Sequence, residues 1–193
     1  MLINKLKPGV TLKFPLSVKF STSVKNVEEC SVEALPMALT IVENNKTSAV
    51  LINFMPHAPG GVNYFETNGD VISGNFTGCI MSTYRVGGKR RVAHVHTGTD
   101  AGANRCCKTF MKGLLKMHSY TSINNFKPFD GNSDATRGID ICLRSRFGAN
   151  GCVTFGLVTS NNKPYSIFTR KIGPHEFLIE GVVDQTDRPY RFA

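Results

Sequence analysis

The sequence predicts an α+β fold: a single-domain β-sandwich or strongly bent mixed sheet with one main helix packed on it. Three observations predict this. Short runs rich in β-branched and aromatic residues recur along the chain. Glycine, proline and asparagine separate them, with 18 Gly and 9 Pro spread rather than clustered. One segment, residues 101–117, carries apolar residues at helical spacing. At 193 residues and 41% hydrophobic, the chain can bury one sizeable core.

Residues 1–36 read as an irregular N-terminal arm with one strand near Leu12–Val18, and residues 37–193 as the catalytic domain. Ala38–Val42 and Ser48–Phe54 flank Glu43-Asn44-Asn45-Lys46, which predicts a hairpin. Pro56–Gly61 is a loop. Val62–Glu66 and Asp70–Ser73 read as short strands around an Asn68-Gly69 turn. The clearest hairpin joins Phe76–Val86 to Arg90–Thr97 across Gly87-Gly88. With Val86 opposite Lys89, counting outward sets Cys79 opposite His96 and Met81 opposite His94. In the 101–117 helix, Phe110, Leu114 and Met117 share a face with Cys106 and Cys107, and Thr99 or Asp100 is the N-cap. Residues 118–137 read as polar and irregular. Four β-like runs follow: Ile139–Arg144, Cys152–Thr159, Tyr165–Lys171 and Glu176–Val183.

The formal charge is +9, but Lys and Arg are scattered and not interleaved with aromatics. A nucleic-acid partner is therefore not expected. The densest run, Lys89-Arg90-Arg91, reads as a solvated turn. No stretch approaches the roughly 20 apolar residues of a membrane helix. Lysines and prolines interrupt residues 1–20, so no cleaved secretory leader is expected. None of the 6 cysteines forms a CxxC pair, which fits buried thiols in a reducing setting.

Cysteine hydrolases need a nucleophilic sulfur, a base beside it and donors for the oxyanion. Cys79 follows Gly78, which permits a tight backbone turn and close approach of a carbonyl. His94 and His96 lie fifteen and seventeen residues on, on the returning arm of the same hairpin, and share one face of it. His96 is favoured as base by the register; His94 is the alternative, one or two pairs away. His57, on the 56–61 loop, could lie near the site, whereas His118 and His175 read as surface or loop residues. Cys79 with His94 and His96 would also suit zinc. No carboxylate or fourth ligand follows at a usual spacing, so neither metal nor cofactor is expected.

Thr77-Gly78-Cys79, with His96-Thr97-Gly98 after a short β return, resembles the (L)SGC…H signature of the cytotoxic necrotising factor catalytic domain. It is also similar to that of the Burkholderia lethal factor deamidase and of the chemotaxis deamidase CheD. The resemblance spans residues 70–100 and departs from the pattern at Phe76-Thr77, where Leu-Ser is common. It implies an α/β sandwich whose Cys–His site hydrolyses a protein glutamine to glutamate. It also implies that backbone N–H groups at Gly78 and Cys79 hold the oxyanion. A residue just upstream of the cysteine orients the imidazole in this family; Ser73 stands six residues before Cys79, with Asn63 and Asn75 as further candidates. The implied context is a monomeric bacterial effector or toxin, exported without a cleaved leader, acting on a host protein in the host cytoplasm. Two other readings share the same residues or fold: a cysteine protease with the same dyad, and a basic β-sandwich binding module.

Overall fold

A computed structural model describes residues 1–21, 29–31, 35–74, 76–97, 101–130, 134–148 and 151–192. Twelve strands and two helices are described: β1 (Thr11–Lys13), β2 (Glu29–Ser31), β3 (Leu35–Glu43), β4 (Lys46–Met55), β5 (Val62–Glu66), β6 (Val71–Gly74), β7 (Ile80–Val86), β8 (Lys89–Val95), α1 (Ala101–Leu114), β9 (Tyr120–Phe126), α2 (Asp134–Phe147), β10 (Cys152–Val158), β11 (Pro164–Gly173) and β12 (Glu176–Asp184). The fold is α+β and dominated by sheet. A closed barrel runs in the order β1-β12-β11-β10-β6-β4-β3, and a five-stranded sheet runs β2-β5-β8-β7-β9. No described helix is long and apolar enough to cross a membrane.

The layers follow from alternation along the strands. One apolar cluster draws on all seven barrel strands, with Leu12, Leu39, Phe54, Ile72, Phe155, Ile167 and Phe177 among its members. A second joins barrel to sheet through Met55, Val71 and Val158 on one side and Phe65, Met81, Val92 and Phe126 on the other; Cys79 belongs to it. The third, on the far face of the sheet, seats Cys107, Met111 and Leu114 of α1 against Val62, Ile80, Ala93 and Val95. The five-stranded sheet is thus buried on both faces, which is why the first five residues of β7 are all buried.

The β3–β4 hairpin turns at Asn44-Asn45, both with positive φ (47° and 62°), the geometry of a tight two-residue turn. Gly87 and Gly88, also at positive φ, make the β7–β8 turn with Val86 opposite Lys89.

Other expectations change. Residues 1–20, read as an arm, supply a 3-10 turn at Leu2–Lys5, strand β1 and the buried Leu2, Leu6, Val10, Leu12, Phe14 and Val18. The backbone ladders of β1 close the barrel between β3 and β12, and the apolar side chains of the segment join its core. β5 and β6 do not pair across Asn68-Gly69: β5 joins β2 and β8, while β6 joins β4 and β10. The 139–144 run is helical, within α2. Its Thr136, Ile139, Leu143 and Phe147 recur every three to four residues, and Thr136 and Leu143 are buried. Residues 120–126 form β9, at the edge of the sheet beside β7. Helix α1 ends at Leu114, leaving Met117 59% exposed. The proposed N-cap residues Thr99 and Asp100 lie outside the described residues. Arg90, read as part of a solvated turn, is buried, because strand alternation on β8 turns it inward.

Candidate functional site

β7 and β8 pair from Val86↔Lys89 to Ile80↔Val95. One step further, the ends of the hairpin carry Cys79 and His96. Gly78, with φ of 147°, holds a backbone conformation that side chains disfavour, and its carbonyl accepts a hydrogen bond from the Thr97 hydroxyl. That bond ties the two chain ends together beside the sulfur. The Cys79 Sγ lies 3.9 Å from His96 Nδ1.

The barrel supplies the other side. β4 and β6 run parallel, with Met55 opposite Ser73. His57 follows β4 and is anchored by its backbone N–H to the Phe20 carbonyl at 2.9 Å. Its Nε2 reaches the same sulfur at 3.9 Å and His96 Nδ1 at 2.9 Å. Sequence reasoning did not rank His57 among the site residues. It sits in a proline- and glycine-rich loop that the β5–β8 pairing, Val62 opposite Val95, and the His96 N–H bond to the Gly61 carbonyl bring to the hairpin.

His94 points from β8 into the layer between sheet and barrel. Its ring stacks on Phe76 at 4.2 Å between centroids and 10° between planes. Ser73 Oγ donates to the Met55 carbonyl at 2.7 Å and lies 2.7 Å from His94 Nδ1. A serine hydroxyl has one proton. With that proton on the Met55 carbonyl, the second contact requires His94 Nδ1–H to donate. His94 is therefore the Nδ1–H tautomer, and its Nε2 is a buried lone pair with no partner. One nitrogen each of His57 and His94 and the Cys79 sulfur lie within 4.8 Å of one another.

The two sequence criteria for the base thus select different histidines: the register brings His96 to Cys79, while the upstream hydroxyl of Ser73 orients His94. Asn63 is also buried, opposite His94 in the β5–β8 pairing. It spends its Nδ2 on the Pro56 carbonyl and touches no ring nitrogen, and its Oδ1 has no partner. Asn75 lies outside the described residues.

Burial governs the electrostatics. Cys79 is only 3% exposed, and burial pushes its thiol up; hydrogen bonds from Thr97 and from its own backbone N–H pull the other way. His57, half-buried, is held down at about 4 by burial and by the charge His96 carries when protonated. His94 is pushed well below the usual imidazole range by burial first, then by His57 and His96. The resting cluster is a neutral thiol among imidazoles of which His57 and His94 are neutral at pH 7. Thr97, which sequence reasoning did not single out, contributes hydrogen bonds at the sulfur. His118 is exposed and His175 packs on Phe20. Comparison with protein-family models, curated proteins and solved structures yields no match.

Proposed function

We propose that this protein is a cysteine-dependent amide hydrolase that converts glutamine side chains of a protein substrate to glutamate. The observation that supports this most is the Cys79 sulfur set 3.9 Å from both His57 Nε2 and His96 Nδ1. These two nitrogens, 2.9 Å apart, share one proton, which the single lone pair between them accepts, so that lone pair takes the thiol proton only once the N–H···N bond opens. Each nitrogen is 3.9 Å from the sulfur, so whichever ring is the acceptor is in reach of the thiol proton when that bond opens. Because burial disfavours the free thiolate, the proton leaves as the sulfur attacks the carboxamide carbon. The N–H groups of Cys79 and Thr97 bond the resting sulfur, and in this reading the backbone N–H groups at Gly78 and Cys79 are the donors for the developing oxyanion. Ammonia departs with the proton from the histidine pair, and water cleaves the thioester to give glutamate and the thiol. In this reading the chain is a bacterial effector acting on a host protein in a cytosol that keeps Cys79 reduced.

The test compares wild-type and Cys79→Ser protein in a eukaryotic lysate by intact-protein and peptide mass spectrometry. Gln-to-Glu conversion on an intact protein, abolished in the variant, is the expected result. Peptide-bond cleavage dependent on Cys79 would make the protein a protease. No Cys79-dependent change would leave a basic β-rich binding module.

A further inference from the structure

Two ligand triads share Cys79 and His57: one is closed by His96 and the other by His94. We propose that Cys79 Sγ, His57 Nε2 and His96 Nδ1 bind a zinc-class divalent ion, with His94 Nε2 drawn in as the fourth ligand, and that the bound ion switches off the nucleophile. The second half rests on the hydrolase reading; the first does not.

Three separations carry the argument: 2.9 Å between the His57 and His96 nitrogens, and 3.9 Å from each to the sulfur. A point equidistant from three atoms so spaced lies about 2.1 Å from each, inside the range of zinc–nitrogen bonds and about 0.2 Å short of a zinc–sulfur bond. An ion held by these three therefore needs shifts of a few tenths of an ångström among them, whereas taking His94 Nε2 as fourth ligand requires the His94 and His96 rings to move closer together. The fourth ligand is prepared by its own partner. His94 is 1% exposed, and the Ser73 hydroxyl fixes its Nδ1–H, which leaves the Nε2 lone pair buried and unused. A metal-bound imidazole is held in this way, its second nitrogen donating to an oxygen that sets the tautomer. The donor set of one thiolate and three imidazoles selects zinc-like ions over magnesium or calcium, which take oxygen.

Binding balances simply. The Cys79 thiol loses its proton to solvent and forms a sulfur–metal bond. The proton shared by His57 Nε2 and His96 Nδ1 moves to the other nitrogen of its own ring, so both lone pairs face the ion. With its sulfur lone pair in that bond, Cys79 cannot attack a carbonyl carbon. Ion binding and acyl transfer exclude each other.

The test titrates reduced, chelator-treated full-length protein with Co2+ under anaerobic conditions. One equivalent is expected to give a sulfur-to-cobalt charge-transfer band and the intense visible bands of a tetrahedral ion, both bleached by Zn2+. Cys79→Ser is expected to lose the charge-transfer band, and His57→Gln and His94→Gln each to weaken binding at least tenfold. Because these variants sit in packed surroundings, Zn2+ is also added to wild type alone in a thermal melt, where a raised midpoint is expected. A weak octahedral spectrum without charge transfer overturns the site. Glutamine conversion unchanged between chelated and zinc-loaded protein overturns the switch. A cobalt band in protein that converts no glutamine, chelated or not, keeps the ion site and removes the hydrolase reading.

Discussion

Replacing Arg90 tests whether the sheet and the barrel are held together by one buried guanidinium. Arg90 is 3% exposed and gives four hydrogen bonds. Nη1 reaches the carbonyls of Thr67 at 2.7 Å and Gly69 at 3.0 Å, Nη2 the Thr159 carbonyl at 2.9 Å, and Nε the Asn162 Oδ1 at 2.7 Å. The residue belongs to β8 of the five-stranded sheet. Thr159 and Asn162 lie in the connection between barrel strands β10 and β11. Burial lowers its proton affinity, and the negative charge of Asp70 opposes that effect. A hydrogen bond to a charged group contributes about 1.5–3 kcal/mol. Arg90→Met removes four, but also ends the desolvation of a cation and refills the space with an apolar chain. The net expectation is a loss of about 4 kcal/mol, most of it from the acceptors left without donors. Arg90→Lys keeps the charge but not the planar fork, so it is expected to lose about 3 kcal/mol. Equilibrium urea unfolding followed by far-ultraviolet circular dichroism measures both. A loss under about 1 kcal/mol for either variant, with an unchanged slope, would refute the clamp.

Three further predictions follow from the same geometry. The depressed pKa values of His57 and His94 mean that the folded state resists protons the unfolded chain accepts near the ordinary value of 6.5. Stability is then full above pH 6.5 and falls as pH drops toward 4, with about 2 kcal/mol from His57 after allowing for its partial exposure; urea midpoints that are flat from pH 7.5 to 4.5 would contradict this. Ser73→Ala strips the Met55 carbonyl and His94 Nδ1–H of their partner, at a cost of about 2 kcal/mol, and nitrogen NMR of His94 should lose the fixed Nδ1–H tautomer. Gly156→Ala would set a methyl group 2.6 Å from Pro128 Cγ and 2.8 Å from Met81 Sδ, and thermal melts should show a loss of about 1–3 kcal/mol.

The turns were legible because their chemistry is local. Asn44-Asn45 and Gly87-Gly88 tolerate the positive φ that a two-residue turn needs, and the strands beside them follow. The second turn also fixes the Cys79–His96 approach by counting alone. Strand partners were not legible in the same way. Asn68-Gly69 marks a change of direction, yet whether β5 and β6 pair or part depends on Val71 and Ile72 meeting Leu157 and Val158, some eighty-six residues away. The run Ile139-Asp140-Ile141-Cys142-Leu143 alternates like a strand over five residues. Only Thr136 and Phe147, at its flanks, extend the helical stripe. Strand β9 is polar along most of its length, with Phe126 its only fully buried residue, and so offers little apolar signal. His57 was legible only as a residue of a loop near the site, since its approach to the sulfur depends on β5 pairing with β8 and drawing that loop onto the hairpin.

The histidine–cysteine cluster straddles a seam. Ser73, Met55 and His57 come from the barrel side, whereas Cys79, His94 and His96 come from the sheet hairpin. A fluctuation that slides one layer past the other would separate these groups while leaving every ladder within each layer intact. Loss of the cluster should therefore precede loss of secondary structure on mild heating, making the reactivity of a single thiol an early reporter of interlayer slippage.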